Sequence, residues 1–239
     1  NVTGILGDVS SVIFTDGNMY GSLTSIDRVS GYWMKLSESQ NVDLMGFRTN
    51  PNTVYELNAG NNLISFPSDE VVSIEDALPS ELSGIITTIQ GEGETALYEN
   101  GMWMGYLTSL SGFNGYWFRS TESIDFTFNL SDEVLARHVA VKPKQRLSGY
   151  EFIQSSSQAA YFVRHIPEAE VGDWIIAFNE DVVIGTRKWN GEMIDVPVMG
   201  NDNEFYSFGY INESQIPRLM LYKSCTGVLE KLHGSIPGF

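Results

Sequence analysis

Two stretches of the chain repeat one another at a spacing of 84 residues, and this duplication restricts the fold more than any other feature. One copy reads Phe14-Thr-Asp-Gly-Asn-Met-Tyr-Gly-Ser-Leu-Thr-Ser-Ile26, followed by Gly31-Tyr32-Trp33. The other reads Tyr98-Glu-Asn-Gly-Met-Trp-Met-Gly-Tyr-Leu-Thr-Ser-Leu110, followed by Gly115-Tyr116-Trp117. Gly17 and Gly101, Gly21 and Gly105, Leu23 and Leu107, Thr24 and Thr108, and Gly31 and Gly115 keep the common register. A register held through so many positions marks an internal repeat, which must be accounted for before any local pattern. Upstream, Gly4-Ile5-Leu6 resembles Gly84-Ile85-Ile86 at a slightly shorter spacing, which predicts a small length change in one loop.

The matched positions read as β-structure. Asp16-Gly17 and Asn100-Gly101 are the residue pairs that tolerate positive φ at both centres of a type I′ turn, the tightest hairpin connection. Val12–Phe14 and Ala96–Tyr98 supply strands before these turns, and the Gly-Tyr-Trp segments continue as aromatic-rich strands. Alternation with a period of two follows at Val42-Asp-Leu44 and at Ile124-Asp-Phe126-Thr-Phe128. Between the copies, Asn61-Asn-Leu-Ile-Ser-Phe66-Pro67 predicts a short apolar strand stopped by proline. Ser73-Ile-Glu-Asp76-Ala-Leu-Pro79 predicts a helix of one or two turns, with Ser73 as N-cap, Asp76 as its reciprocal partner and Pro79 as the stop.

The expected organisation is therefore all-β: repeated small β-rich modules, then a β-sandwich-like domain, with at most one or two short helices. Residues 1–130 hold the two aromatic-rich repeats, a truncated first copy at about 1–47 and a second at about 57–130. By the logic of the repeat, the first copy lacks its equivalent of residues 60–82, a segment expected ahead of Asn1 in a longer parent chain. Residues 131–149 change character. Four basic side chains (Arg137, Lys142, Lys144, Arg146) meet only Asp132 and Glu133 there, Pro143 interrupts the run, and a linker is expected.

Residues 150–239 carry a different β-pattern. Ala160–Ile166 reads as a strand, and Asp173–Phe178 with Val182–Trp189 reads as a hairpin turning at Asn179-Glu-Asp181. Asn190-Gly191 signals a second type I′ hairpin into Met193–Met199, where Pro197 suggests an edge or a bulge. Arg218–Tyr222 and Val228–Leu232 complete the pattern. Short strands with turn signals every eight to twelve residues fit a compact sandwich.

Charge and composition narrow the function. A formal charge of −16 opposes binding to a phosphate backbone, which has to be met by Lys and Arg, so no nucleic-acid partner is expected. No apolar run approaches the roughly 18 residues of a transmembrane helix, so no membrane insertion is expected. Cys225 is the single cysteine, which excludes an internal disulfide and any cysteine-based zinc cluster. His138, His165 and His233 are widely spaced, and neither a paired-histidine motif nor a Gly-x-Ser-x-Gly elbow occurs. No catalytic residue is assigned. Asp202 and Glu204, in Gly200-Asn-Asp-Asn-Glu204, crowd oxygen ligands into one turn and are the candidate calcium ligands, although Asn and Asp also build turns without metal. Trp103 is the candidate ligand-binding residue. It stands beside a turn where the first copy has Met19, and an exposed indole can stack on a sugar ring.

Asn61-Asn-Leu-Ile-Ser-Phe-Pro67, the Asn/Asp-Gly-Met-x-x-Gly-x-Leu-Thr core and Gly115-Tyr-Trp-Phe118 resemble repeat modules of very large secreted and surface proteins of marine bacteria. Similar modules occur in virion structural and tail proteins of marine phages. Val171-Gly-Asp-Trp-Ile-Ile-Ala-Phe178, Val183-Ile-Gly-Thr-Arg187 and Asp195-Val-Pro-Val-Met-Gly200 resemble a β-module that follows those repeats. The resemblance implies a non-catalytic structural or interaction module, extracellular or on a cell or virion surface, with protein partners in a larger assembly. It brings no catalytic residues and no required cofactor. A carbohydrate-binding module contacting host or cell-surface glycans is the alternative.

Overall fold

The computed structural model describes residues 2–41, 46–131, 134 and 145–239. Within them the chain is almost entirely β, built from antiparallel sheets and tight turns with one short helix. It divides into two compact units. One takes in Asn1–Gly91, Leu97–Trp103 and Leu107–Val141; the other takes in Glu92–Ala96, Met104–Tyr106 and Lys142–Phe239. The alternation expected at Val42–Leu44 lies outside the described residues, as does most of the expected linker, including Arg137, His138, Lys142 and Lys144.

The first repeat copy forms β1 (Val2–Leu6), β2 (Ser11–Thr15), β3 (Asn18–Gly21) and β4 (Trp33–Leu36), in the sheet order β3-β2-β1-β4. The second copy opens with β5 (Tyr55–Leu57), β6 (Gly60–Ser65), β7 (Val72–Ser73) and the helix α1 (Ile74–Ala77). The part of it that repeats the first copy forms β8 (Ile86–Gln90), β9 (Thr95–Glu99), β10 (Met102–Gly105), β11 (Ser109–Leu110), β12 (Gly115–Ser120) and β13 (Ile124–Phe126). Its sheet runs β10-β9-β8-β12-β6, which is the first sheet's order with β6 added beyond β12.

Strand pairing repeats residue for residue. Leu6 faces Trp33 as Gln90 faces Trp117, Ile5 faces Met34 as Ile89 faces Phe118, and Gly4 faces Lys35 as Thr88 faces Arg119. Both ladders then slip at a bulge, after which Val2 faces Leu36 and Ile86 faces Ser120. The spacing of 84 thus runs through β1 and β8 unchanged. The counterpart of Gly4-Ile5-Leu6 is Thr88-Ile89-Gln90, so the expected loop-length change, based on the likeness to Gly84-Ile85-Ile86, is corrected.

The turns follow from residue type. Asp16 and Gly17 have φ of 51° and 77°, and Asn100 and Gly101 have 54° and 82°, as a type I′ turn requires. Gly21 and Gly105 are also at positive φ, and a Cβ there would lie 2.1 Å from the Ser11 carbonyl oxygen and 2.2 Å from that of Thr95. Each copy also secures its aromatic strand to the preceding loop. The Tyr32 hydroxyl accepts from the Asp27 amide at 3.1 Å, and the Tyr116 hydroxyl from the Ser111 amide at 3.0 Å.

What precedes β8 closes the second copy. β6 pairs along the outer edge of β12, β7 pairs with β11, and β5 pairs with β13. Helix α1 begins where Ser73 Oγ accepts the Asp76 amide at 3.1 Å and donates to Asp76 Oδ2 at 2.7 Å. Ile86, Ile89, Leu110 and Phe118 become fully buried. Tyr55, Phe66, Phe118, Phe126 and Phe128 stack around one another, mostly edge to face, as aromatic quadrupoles prefer.

The other unit contains β14 (Gln158–Val163), β15 (Trp174–Asn179), β16 (Val182–Lys188), β17 (Ile194–Met199), β18 (Arg218–Tyr222) and β19 (Leu229–Lys231). β16-β15-β18-β19 form one sheet and β14-β17 another, over a core that includes Ile175, Ile184, Val196, Val198 and Leu221. The hairpin expected at Asn190-Gly191 does not form. β17 pairs with β14 instead of β16, and only Gly191 takes a positive φ. Asn190 Oδ1 accepts from the Glu192 amide, an Asx turn that carries the chain from one sheet to the other. Pro197 sits on β17, an edge strand of its sheet, where its missing N–H breaks no ladder.

Candidate functional site

The two copies are alike in register but not in cover. Leu110 and Phe118 are fully buried, whereas Ile26 and Met34, their counterparts, are 70% and 49% exposed. Ile86 and Ile89 are fully buried, whereas Val2 and Ile5 are half-buried. Leu36, which replaces the buried Ser120, is exposed as well. Ile5 and Met34 lie side by side across the β1–β4 ladder, as do Val2 and Leu36. The first copy therefore presents an apolar strip on the face that the second copy covers. Among the described residues β4 is also an edge strand, while its counterpart β12 carries β6 on that side. β6 is itself bonded on its other edge to the first copy, where Gly31 donates to the Leu63 carbonyl at 2.9 Å and Ser65 to the Val29 carbonyl at 2.8 Å.

Trp103 lies at the rim of a small hollow of about 200 Å³, bordered by Glu75, Pro79, Ser80, Ser83 and Tyr98. It is half-buried, with its ring centroid 5.1 Å from that of Tyr98 and the rings tilted by 59°. Met19, its counterpart, is 70% exposed. An aromatic pair beside hydroxyl and carboxyl groups can hold one sugar ring by stacking and hydrogen bonds.

Asp202 and Glu204 fall at a turn, as expected, but the Asp202 carboxylate meets donors. Its Oδ2 accepts from the Tyr206 hydroxyl at 2.6 Å and from the Ser156 hydroxyl and amide at 2.8 and 3.1 Å. Burial alone would raise its pKa, but the bonds from Tyr206, Ser207 and Ser156 outweigh it and hold the carboxyl well below the ordinary range. Glu204 is exposed at the start of a 3₁₀ turn. The arrangement fastens the turn to Ser156. Among the described residues no group of three or more His, Cys, Asp or Glu side chains converges as metal ligands.

Sequence reasoning did not find the buried pair Arg187–Asp195. The two side chains meet at 2.9 Å, and Asp195, fully buried, also accepts from the Tyr106 and Thr95 amides at 2.6 and 2.9 Å. The Arg187 guanidinium lies 4.3 Å from the Tyr106 ring centroid. Burial pushes the Asp195 carboxyl up, and Arg187 and the two amides pull against it. Every partner is a backbone group or a packed side chain, so the node is structural in kind. No short-range signal announces it, since Asp195 and Thr95 are 100 residues apart.

A cavity of about 1060 Å³ is lined by β14 and residues 230–238, together with Ile166, Leu219 and Leu221. His165 and His233 are exposed on its lining. Cys225 is exposed with a free thiol. No helix among the described residues is long and apolar enough to cross a membrane. Comparison of the chain with protein-family profiles, curated proteins and solved structures gives no match in any of the three.

Proposed function

We propose that the chain is a non-catalytic structural and interaction module of a large extracellular or virion-surface assembly, serving adhesion, display or joining of parts. The observation that carries this reading is the repeated register. At a spacing of 84 residues the same positions make the I′ turns, the bulge, the glycine close approaches and the tyrosine bonds in both copies. The duplicated residues thus do folding work, and what differs between the copies is how much apolar surface is left open. The resemblance to surface-protein and tail-protein repeats adds to it.

A second reading, glycan binding, has one specific observation in its favour, the Trp103–Tyr98 pair at the rim of a hollow. A glycan array probed with the chain and with Trp103→Ala, together with a panel of glycoside, ester and peptide substrates, separates the two. The module reading expects no turnover and no signal that depends on Trp103. A saturable glycan signal lost in Trp103→Ala would replace it with the second reading, and turnover abolished by one carboxylate substitution would overturn both.

A further inference from the structure

The geometry points to a specific occupant for the open face of the first copy: the strand-and-helix closing segment of a further copy of this repeat, with the pattern of residues 53–84. This rests on the reading of the chain as a repeat module and names its partner. The second copy shows how such a face is closed. β6 adds an antiparallel strand to the outer edge of β12, with Ile64 opposite Tyr116 and Asn62 opposite Phe118. Then β7 pairs with β11 and leads into α1, which packs beside β11, and Val72, Ile74, Ala77 and Leu82 are buried, as are Ile86, Ile89, Leu110 and Phe118.

In the first copy the receiving side is in place. Its ladder has the same register and bulge, its β4 edge stands where β12 takes β6, and its strip of Val2, Ile5, Ile26, Met34 and Leu36 stands where the covered residues are. Among the described residues no strand pairs along the outer edge of β4, and a strand edge beside an apolar strip is the setting for strand addition, in which main-chain bonds supply affinity and alternate side chains supply selectivity. The incoming pattern is legible from the second copy: an extended Asn-Asn-Leu-Ile-Ser-Phe run, then Ser-Ile-Glu-Asp-Ala capped as one helical turn, then Leu82. A second molecule of this chain is a poorer occupant, because its own residues 60–82 already close its second copy and its net charge of −16 repels a like partner.

The repeat spacing supplies the test. Residue 85 is the counterpart of residue 1, so a second copy of residues 53–84 fused directly ahead of Asn1 in the full chain reproduces the connection seen in the second copy. Amide hydrogen exchange is read at Trp33–Leu36, with a fusion of scrambled sequence as control. The expected result is exchange slowed roughly tenfold or more at the amides of that edge, only in the ordered fusion. Met34→Glu, placed on an exposed position of the free chain, is expected to cancel the slowing. Equal exchange in both fusions, slowing that survives Met34→Glu, or slowing in the unfused chain through self-association in sedimentation would each overturn the assignment. A failed fusion beside silent glycan and substrate panels removes only this partner, whereas a positive panel removes the module reading whatever the fusion does.

Discussion

At the scale of residues, the clearest dependence is on two glycines of the second hairpin. Gly101 has positive φ and open space around its missing Cβ, so Gly101→Ala pays only the left-handed backbone cost, about 1–2 kcal/mol. Gly105 adds a collision with the Thr95 carbonyl. Gly105→Ala is therefore expected to destabilise more than Gly101→Ala in denaturant melts, and the same order should hold for Gly21→Ala over Gly17→Ala. Asp202 gives a pH prediction. Its folded pKa lies below the ordinary 3.8, so its stabilisation is fully present above that value and is lost as pH falls towards the folded value. Asp202→Asn is expected to lower stability at neutral pH, with a gap to the parent that closes on acidification below about pH 4. Comparing the two chains cancels the global change in carboxylate repulsion. Composition at Gly200–Glu204 made the turn legible, whereas the bonds that Asp202 accepts from Ser156, far off in the chain, are supplied by no local reading. Added calcium or chelator should accordingly leave the melting temperature unchanged.

At the scale of elements, the hairpins and the short helix were legible because their signals are local. Asn-Gly and Asp-Gly dictate φ, and Ser73 with Asp76 dictates an N-terminus. Ser73→Ala should cost about 1 kcal/mol in an equilibrium melt, the usual worth of a lost N-cap. Pairing partners were less legible. The likeness of Gly4-Ile5-Leu6 to Gly84-Ile85-Ile86 differs from the observed alignment by four residues, an even shift that leaves every side chain on its own face. Only the hydrogen-bond ladder and the shared bulge distinguish the two. Asn190-Gly191 misled for a related reason. The dipeptide specifies a tight reversal but not whether the next strand bonds to the last one or passes to the facing sheet. β17 goes to β14, which lets Asp195 reach the Thr95 and Tyr106 amides beside Arg187. Asp195→Ala leaves a buried guanidinium without its counter-charge and is expected to cost about 3–5 kcal/mol in chemical denaturation.

At the scale of the molecule, the all-β class and the duplication were readable because 84-residue spacing, turn residues and period-two alternation all agree. The difference in cover between the copies was not readable from composition, since Val2, Ile5, Ile26 and Met34 are as apolar as their covered counterparts Ile86, Ile89, Leu110 and Phe118. It emerges only when Ile26 and Met34 are set beside Leu110 and Phe118 in three dimensions. The proposed interaction module rests on that difference: one copy closed, and one that has, among the described residues, an unpaired strand edge beside an apolar strip. The account depends on the copies having the same ladder in solution, which cross-strand nuclear Overhauser contacts measure. It predicts matching contact sets for Ile5–Met34 and Ile89–Phe118 and for Leu6–Trp33 and Gln90–Trp117, each with the slip to Val2–Leu36 and Ile86–Ser120. A first copy with another register, or without cross-strand contacts between β1 and β4, would contradict it.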